Sequence, residues 1–282
     1  MSSFDSFRHR MKLTGQLRLE TALRIGSGLT DELSGADIAV MKDAQRRPYI
    51  PGSSFKGALR TQIERLIRVV ETDIGSGKGA CNPINEKERC ITKEMMDELR
   101  QKFKNEKNPA GLDAEIHSRL CRICRVFGSP WLASRVFVKD LILSKPELWF
   151  EERYQVRHGV GIDRDTETAS RGLLYDYEVV PAGTYFKWEI IIENADQDLA
   201  EDGMVIWGLN EFANGRVPLG GSRSRGLGWV SLFFDENAEI VDASDRKALL
   251  DYLITGKGQI MSKKDMLSRA AVFAQALAGP GV

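Results

Sequence analysis

The chain reads as an α+β protein, and three observations support that. In residues 12–25, Leu13, Leu17, Leu19, Leu23 and Ile25 share one parity, and Lys12, Gln16, Arg18, Glu20 and Arg24 share the other. A period of two is a half-buried strand with one wet face. In residues 55–70, Phe55, Leu59, Ile63, Leu66, Ile67 and Val70 recur instead at steps of three and four, which makes an amphipathic helix. A second helical pattern with Val205, Leu209 and Phe212 covers residues 202–214, between strand-like stretches at 185–192 and 229–234.

The 282 residues, 42% hydrophobic, suffice for one large domain or two small ones. Forty basic and forty acidic side chains cancel, so a global basic field is absent and any nucleic-acid binding must use local patches. No apolar run approaches the roughly 20 residues that span a bilayer. The first ten residues are polar and charged, unlike a secretory signal. A cytoplasmic protein without membrane contact is expected, with its four cysteines reduced.

After the first strand, residues 26–37 form a small-residue loop carrying Asp31, Glu32 and Asp37, and an apolar run follows at 38–41. A basic turn at 43–47 leads to Pro48-Tyr49-Ile50-Pro51-Gly52-Ser53-Ser54. Pro51 and Gly52 end the preceding strand. Ser53 or Ser54 is placed to cap the next helix, leaving backbone N–H groups pointing outward. Lys56 and Arg60, four residues apart, share a face. A helix start with two cations is an anion site whose usual occupant is phosphate. The alternative is an ordinary strand–turn–helix with solvated charges. Arg65 and Arg68, off the apolar stripe, read as solvated.

Residues 71–120 are polar. Residues 75–79 lack the Walker spacing, and Lys78 is followed by glycine, so they read as a mobile surface loop and not a nucleotide site. Cys121-x-x-Cys124 has a chelate spacing, and Cys81 and Cys90 supply two more thiols. Four thiolates would close a tetrahedral zinc site and replace the missing apolar core of the insertion. The spacing Cys81-x8-Cys90 is longer than usual, and His117 is a competing ligand. Four unrelated thiols are the alternative. A redox role finds no βαβ unit around the pair.

Residues 136–143 read as a strand. Residues 153–171 are charged and almost free of apolar side chains, which ordinarily marks a solvated loop. Residues 219–228 form a glycine-rich loop with Arg223 and Arg225; glycine lets the backbone approach a phosphate chain, and arginine supplies charge. Residues 242–277 read as one or two amphipathic helices without chemistry.

Four phrases stand in a telling order. They are Pro48-Tyr49-Ile50-Pro51-Gly52-Ser53-Ser54-Phe55-Lys56-Gly57-Ala58-Leu59-Arg60 after the acid-bearing loop; Phe127-Gly128-Ser129 with Ser134-Arg135-Val136 and Asp140; Val160-Gly161-Ile162-Asp163-Arg164-Asp165-Thr166 with its return Tyr175-Asp176-Tyr177-Glu178 and Val180-Pro181-Ala182-Gly183; and the glycine-rich loop. Over about residues 11–235 the chain resembles the RAMP superfamily, and specifically the backbone subunits of type III CRISPR effector complexes.

That resemblance implies a modified ferredoxin-like, RRM-like palm. It implies a thumb hairpin at about 153–178 that wedges into the guide–target duplex, and a zinc-bearing insertion at 71–125. Residues 236–282 are left as a C-terminal helical extension. The expected partners are CRISPR RNA, target RNA, neighbouring RAMP copies and other type III effector subunits. The expected RNA-binding residues are Ser53, Ser54, Lys56, Arg60, Arg135, Arg164, Gly220, Gly221, Arg223 and Arg225. The expected metal ligands are Cys81, Cys90, Cys121 and Cys124. In active members an aspartate in the loop before the Pro-Gly-Ser-Ser helix is needed to cut target RNA. Asp37 matches that position better than Asp31 or Glu32. Its carboxylate could hold Mg²⁺ or Mn²⁺, or help activate a ribose 2′-hydroxyl. Two other readings are a filament subunit that only grips the guide and a stand-alone nuclease that processes precursor CRISPR RNA. The latter usually recruits histidine, and His9, His117 and His158 are scattered.

Overall fold

The computed structural model describes residues 6–26, 39–195 and 200–278. In chain order they form β1 (His9–Leu19), β2 (Tyr49–Ile50), α1 (Gly52–Val70), α2 (Lys93–Asn105), α3 (Pro109–Arg119), α4 (Arg122–Phe127), β3 (Val136–Val138) and β4 (Leu141–Leu143). There follow β5 (Gln155–Asp163), β6 (Thr168–Val179), β7 (Tyr185–Glu193), α5 (Glu201–Ala213), β8 (Val230–Phe234), β9 (Asn237–Asp242), α6 (Arg246–Thr255), β10 (Gln259–Ser262) and α7 (Lys263–Ala278).

The alternation of β1 is realised as expected. Met11, Leu13, Leu17 and Leu19 are fully buried, while Gln16 and Arg18 face solvent. β1 pairs antiparallel with β7 from Arg10 opposite Glu193 to Arg18 opposite Tyr185. The far edge of β1 is shared end to end by β8, along Gly15 to Leu19, and β9, along His9 to Lys12. The far edge of β7 is likewise shared by β3 and β4. Counting each collinear pair as one strand gives the order 4-1-3-2, with α1 and α5 as the two crossover helices. This is the ferredoxin-like arrangement of two split βαβ units. The helices pack together on the buried face, where the Phe55 and Phe212 rings lie 5.0 Å apart. α7 joins the same layer through Phe273, whose ring is 5.6 Å from that of Trp207.

β5 and β6 form their own two-stranded sheet, the thumb hairpin, with Val156, Val160, Ile162 and Leu174 exposed. Its root is held by a small separate core of Ala22, Tyr177, Val179 and Leu227.

Several elements differ from the sequence reading. β1 stops at Leu19 because the chain turns there, and the N–H groups of Glu20 and Thr21 both donate to the Trp229 carbonyl. The strand expected at 136–143 is two short strands, broken where Asp140 turns to cap α1. Residues 75–79 are not a loose loop: the Gly77 N–H donates to the Leu120 carbonyl at 2.9 Å, and Gly77, Gly79 and Ala80 are buried. The insertion is less core-poor than it reads, since Ile91, Met96, Leu99, Phe103, Ile116 and Leu120 are all buried. Nor is the C-terminal segment only helical. β9 and β10 extend the sheet, and Met266, Ala270 and Phe273 of α7 are buried.

Gly15 has a packing reason to be glycine. It lies between Trp188 and Phe234, whose rings meet edge to face at 5.5 Å, and the Trp188 indole N–H reaches the Phe233 carbonyl at 3.3 Å. An added methyl would run into that carbonyl and the indole. Gly15→Ala is expected to destabilise the fold by about 1–3 kcal/mol. A lower denaturant midpoint with unchanged slope would show it; an unchanged midpoint would mean that the strand relaxes freely.

Candidate nucleic-acid interface and metal centre

The N-terminus of α1 and the glycine-rich loop face each other across a groove of about 640 Å³. It is lined by Ser54, Thr61, Gln62, Arg65, Arg216 and Arg223, among others. The helix is not capped by Ser53 or Ser54, which are both exposed. The Pro51 carbonyl accepts from the Ser54 and Phe55 N–H groups at 2.9 and 3.1 Å, and the Asp140 carboxylate accepts from the Gly52 N–H at 2.7 Å. Gly52 is what permits this, because a Cβ there would meet the Val138 carbonyl. The side chains of Ser53 and Ser54 thus take no part in the cap.

The two cations expected beside them are largely committed to the fold. The Lys56 ammonium donates to Ser134 Oγ at 2.7 Å and to the Val136 carbonyl at 2.9 Å. Burial, and then the neighbouring Arg60 charge, lower its pKa from the ordinary lysine value. Arg60 donates to the buried Glu64 at 2.7 Å and to the Gly128 carbonyl at 3.1 Å. Arg135, expected to bind RNA, is buried in the fold. Its side chain is 2% exposed, ion-paired with Glu201, and 3.1 Å from His117 Nε2. Arg164 lies in the exposed turn between β5 and β6, on the thumb and not in the groove. Arg68, read as solvated, ties α1 to the Ala80 and Cys81 carbonyls at 3.1 and 2.8 Å.

The glycine-rich loop is rigid at its back and open at its front. The Leu219 N–H donates to the Gly228 carbonyl, the Gly221 N–H to the Arg24 carbonyl, and the Gly228 N–H to the Ala22 carbonyl, each at 2.8 Å. Gly220, at φ 74°, fits against the Arg24 carbonyl, where a Cβ would clash. The turn that follows exposes both Arg223 and Arg225. Arg65, read from sequence as a solvated residue, and Arg216, not named there, both line the groove. The signal for Arg65 was its place on one helix face with Ser54, Ala58 and Thr61. Arg216, which pairs with Glu211 at 2.9 Å, carried none beyond its closeness to the loop.

In the insertion, the Sγ atoms of Cys81, Cys90, Cys121 and Cys124 all lie within 4.8 Å of one another. Cys121 opens α4 and Cys124 stands in its first turn. Cys81 is brought in by the tight turn at 75–79, and Cys90 by the segment before α2. Cys81 Sγ and Cys124 Sγ are 3.5 Å apart, and the Cys121 N–H donates to Cys90 Sγ at 3.2 Å. The thiols of Cys124, Cys81 and Cys90, in that order, lower the pKa of Cys121 by hydrogen bonding. Four convergent, largely buried sulfurs suit a soft divalent ion in tetrahedral geometry, so the cluster could hold a metal ion. His117 is not needed to complete that set.

Asp37, Asp31 and Glu32 lie outside the described residues. The chain on either side of them is described: Gly26 and Val40 face each other as a bridge, and the Met41 N–H donates to the Ile25 carbonyl at 2.9 Å. The histidines occupy different settings: His9 buried in β1, His117 against Arg135, and His158 on the thumb beside Asp176.

Residues 16–231 match the RAMP superfamily family model, which spans β1 to β8 and so takes in the palm, insertion, thumb and glycine-rich loop. Similar proteins include the CRISPR system Cms endoribonuclease Csm3 of Methanothermobacter thermautotrophicus, 28% identical over 250 residues, covering 79% of this chain and 84% of that one. The protein of the same name from Methanocaldococcus jannaschii is 28% identical over 235 residues, covering 80% and 79%. That from Streptococcus thermophilus is 28% identical over 230 residues, covering 79% and 86%. With a ferredoxin-like palm, a projecting hairpin and a glycine-rich loop in the matched stretch, the chain belongs to the RAMP superfamily.

Proposed function

We propose that this protein is a CRISPR RNA-binding backbone subunit of a type III interference complex that cleaves target RNA. The observation that carries the reading is the groove between α1 and the glycine-rich loop, in a chain whose similar proteins are named CRISPR endoribonucleases. Arg223, Arg225 and Arg65, with the Ser53 and Ser54 hydroxyls and the backbone at Gly220 and Gly221, hold the guide's sugar–phosphate chain. Such contacts position RNA without reading its bases, as a filament that accepts any guide requires. Lys56 and Arg60, held by Ser134, Val136, Glu64 and Gly128, add little charge to the groove. Arg164 serves the guide–target duplex from the thumb, residues 153–178. Neighbouring RAMP copies and other effector subunits complete the assembly, in the cytoplasm. Among the described residues no helix is long and apolar enough to cross a membrane.

Asp37 is assigned to cleavage. Mg²⁺ or Mn²⁺, when bound, would neutralise charge at the scissile phosphate. The protein's part is to hold that phosphate and to present a carboxylate beside the ribose 2′-hydroxyl. Zinc is assigned to Cys81, Cys90, Cys121 and Cys124 in a structural role, joining α4 and the 75–90 segment.

In assembled complex, Asp37→Ala and Asp37→Asn are expected to abolish cutting of target RNA on a denaturing gel, with assembly and target binding intact. EDTA should stop the wild type, and Mg²⁺ or Mn²⁺ should restore it. Full-rate cutting by Asp37→Ala would leave a subunit that only grips the guide. Arg223→Ala with Arg225→Ala should weaken RNA binding evenly across guide sequences. The slope of log K against log salt should fall by about 0.7 per lost phosphate contact. A sequence-dependent loss would point to base readout. Elemental analysis should find about one zinc per chain. Cys121→Ser should lose it and unfold at lower temperature, whereas a metal-free protein of full stability would remove zinc from the account.

A further inference from the structure

Several contacts fasten the thumb root to the palm. Glu178 accepts the Val40 N–H at 3.1 Å and the Lys42 ammonium at 2.9 Å. A second set joins β6 to the glycine-rich loop. Tyr175 and Tyr177 lie two residues apart on one face of β6, with their rings 6.0 Å apart. Tyr177 is buried with Ala22, Val179 and Leu227, and Leu227 belongs to the loop. The Arg24 guanidinium lies over the Tyr177 ring at 4.8 Å and donates to Ser222 Oγ at 3.3 Å. The Arg24 carbonyl accepts the Gly221 N–H at 2.8 Å, so one residue fixes the loop through both backbone and side chain. At the outer end, Arg225 Nη1 donates to the Tyr175 hydroxyl at 3.0 Å. The Tyr175 ring lies across Gly159, its partner in β5, where a Cβ would collide with it. Arg24, Tyr177, Tyr175 and Arg225 thus form one chain of contacts, from the palm through the thumb root to the tip of the loop.

Arginine carries its N–H donors in a planar fork, and the Tyr175 hydroxyl takes one of them. The rest of the Arg225 fork stays open to a phosphate, which accepts from arginine more strongly than a phenol oxygen does. An exposed arginine ordinarily gives up rotamer freedom when it binds. One already tethered has given it up before the ligand arrives, and binding gains by the difference. We propose that Tyr175, backed by Tyr177 and Arg24, is a positioning residue of the guide-RNA site. It holds Arg225 in the orientation in which that side chain meets a backbone phosphate of the guide. Tyr175 acts through Arg225 and need not touch RNA itself. The strand that carries the thumb outward therefore also sets a cation of the glycine-rich loop, and the thumb root is part of the guide grip. The inference rests on the reading that the loop and its groove hold RNA.

The test is a double-mutant cycle on the full-length protein, with fluorescent oligouridylate as the single-stranded RNA probe. Tyr175→Phe removes the hydroxyl and keeps the ring. It should weaken binding about three- to tenfold, the range one hydrogen bond commands, with an unchanged thermal midpoint. In an Arg225→Ala background the same change should cost nothing more, because the side chain it orients is gone. A loss of equal size in both backgrounds would show a merely structural role and overturn positioning. Wild-type affinity of Tyr175→Phe beside a weakened Arg225→Ala also overturns it, and in both cases the guide-binding reading stands. Wild-type affinity of Arg225→Ala overturns the inference. If Arg223→Ala with Arg225→Ala also binds as wild type, the RNA reading of the loop falls with it. Should Tyr175→Phe fail to fold, Arg24→Gln carries the same cycle: a loss that disappears in the Arg225→Ala background supports the proposal, and a loss that persists there overturns it.

Discussion

The antiparallel pairing of β1 with β7 is the constraint from which the rest follows. It gives the sheet one dry face, on which α1 and α5 must lie, and leaves the outer edge of each central strand open. Neither edge is closed by a single long strand. β8 and β9 share one, and β3 and β4 share the other. A break in a strand frees backbone and side chains from the ladder, and at the β3–β4 break this is put to use. Asp140 there accepts the first N–H of α1, so the helix start that faces the groove is fastened to the sheet beneath it.

The interior around the start of α5 is unusually charged. Arg135 pairs with Glu201, Arg269 pairs with Asp202, and both acids lie in the first turn of the helix, where the backbone dipole favours them. Charges this deep are tolerated only when paired and hydrogen-bonded, and removing one partner strands the other. The arrangement links the residue just before β3 to α5, and α5 to α7, through groups that cannot be traded one at a time. It also explains why Arg135, expected to bind RNA, takes no part in the groove.

The insertion follows a different rule. Its helices bury a modest set of apolar side chains, and the four cysteines draw its remote ends together. Arg68 and Glu71 of the α1 end hold the approach: Arg68 through the Ala80 and Cys81 carbonyls, Glu71 through the Gly79 N–H and Arg122. A flat polar segment is thereby given a defined shape by a few directional contacts.

The sequence by itself determined the element types, because a period of two or of 3.6 is set by which side chains share a face over a few residues. It showed the strand at β1, the helix at α1 and the glycine-rich loop, and it brought forward the four thiols through their spacing and number; the projecting hairpin came only with the resemblance, because residues 153–171 by themselves read as a solvated loop. What it could not show is which charges remain free, since that depends on partners far along the chain. Lys56 finds Ser134, Arg135 finds Glu201, and Gly52 finds Asp140 across 78, 66 and 88 residues. The grip of Glu178 on Val40 crosses 138 residues and leaves no local trace. Local patterning records burial, whereas the partner of a buried polar group is chosen only when the folded chain brings distant segments within about 3 Å of each other.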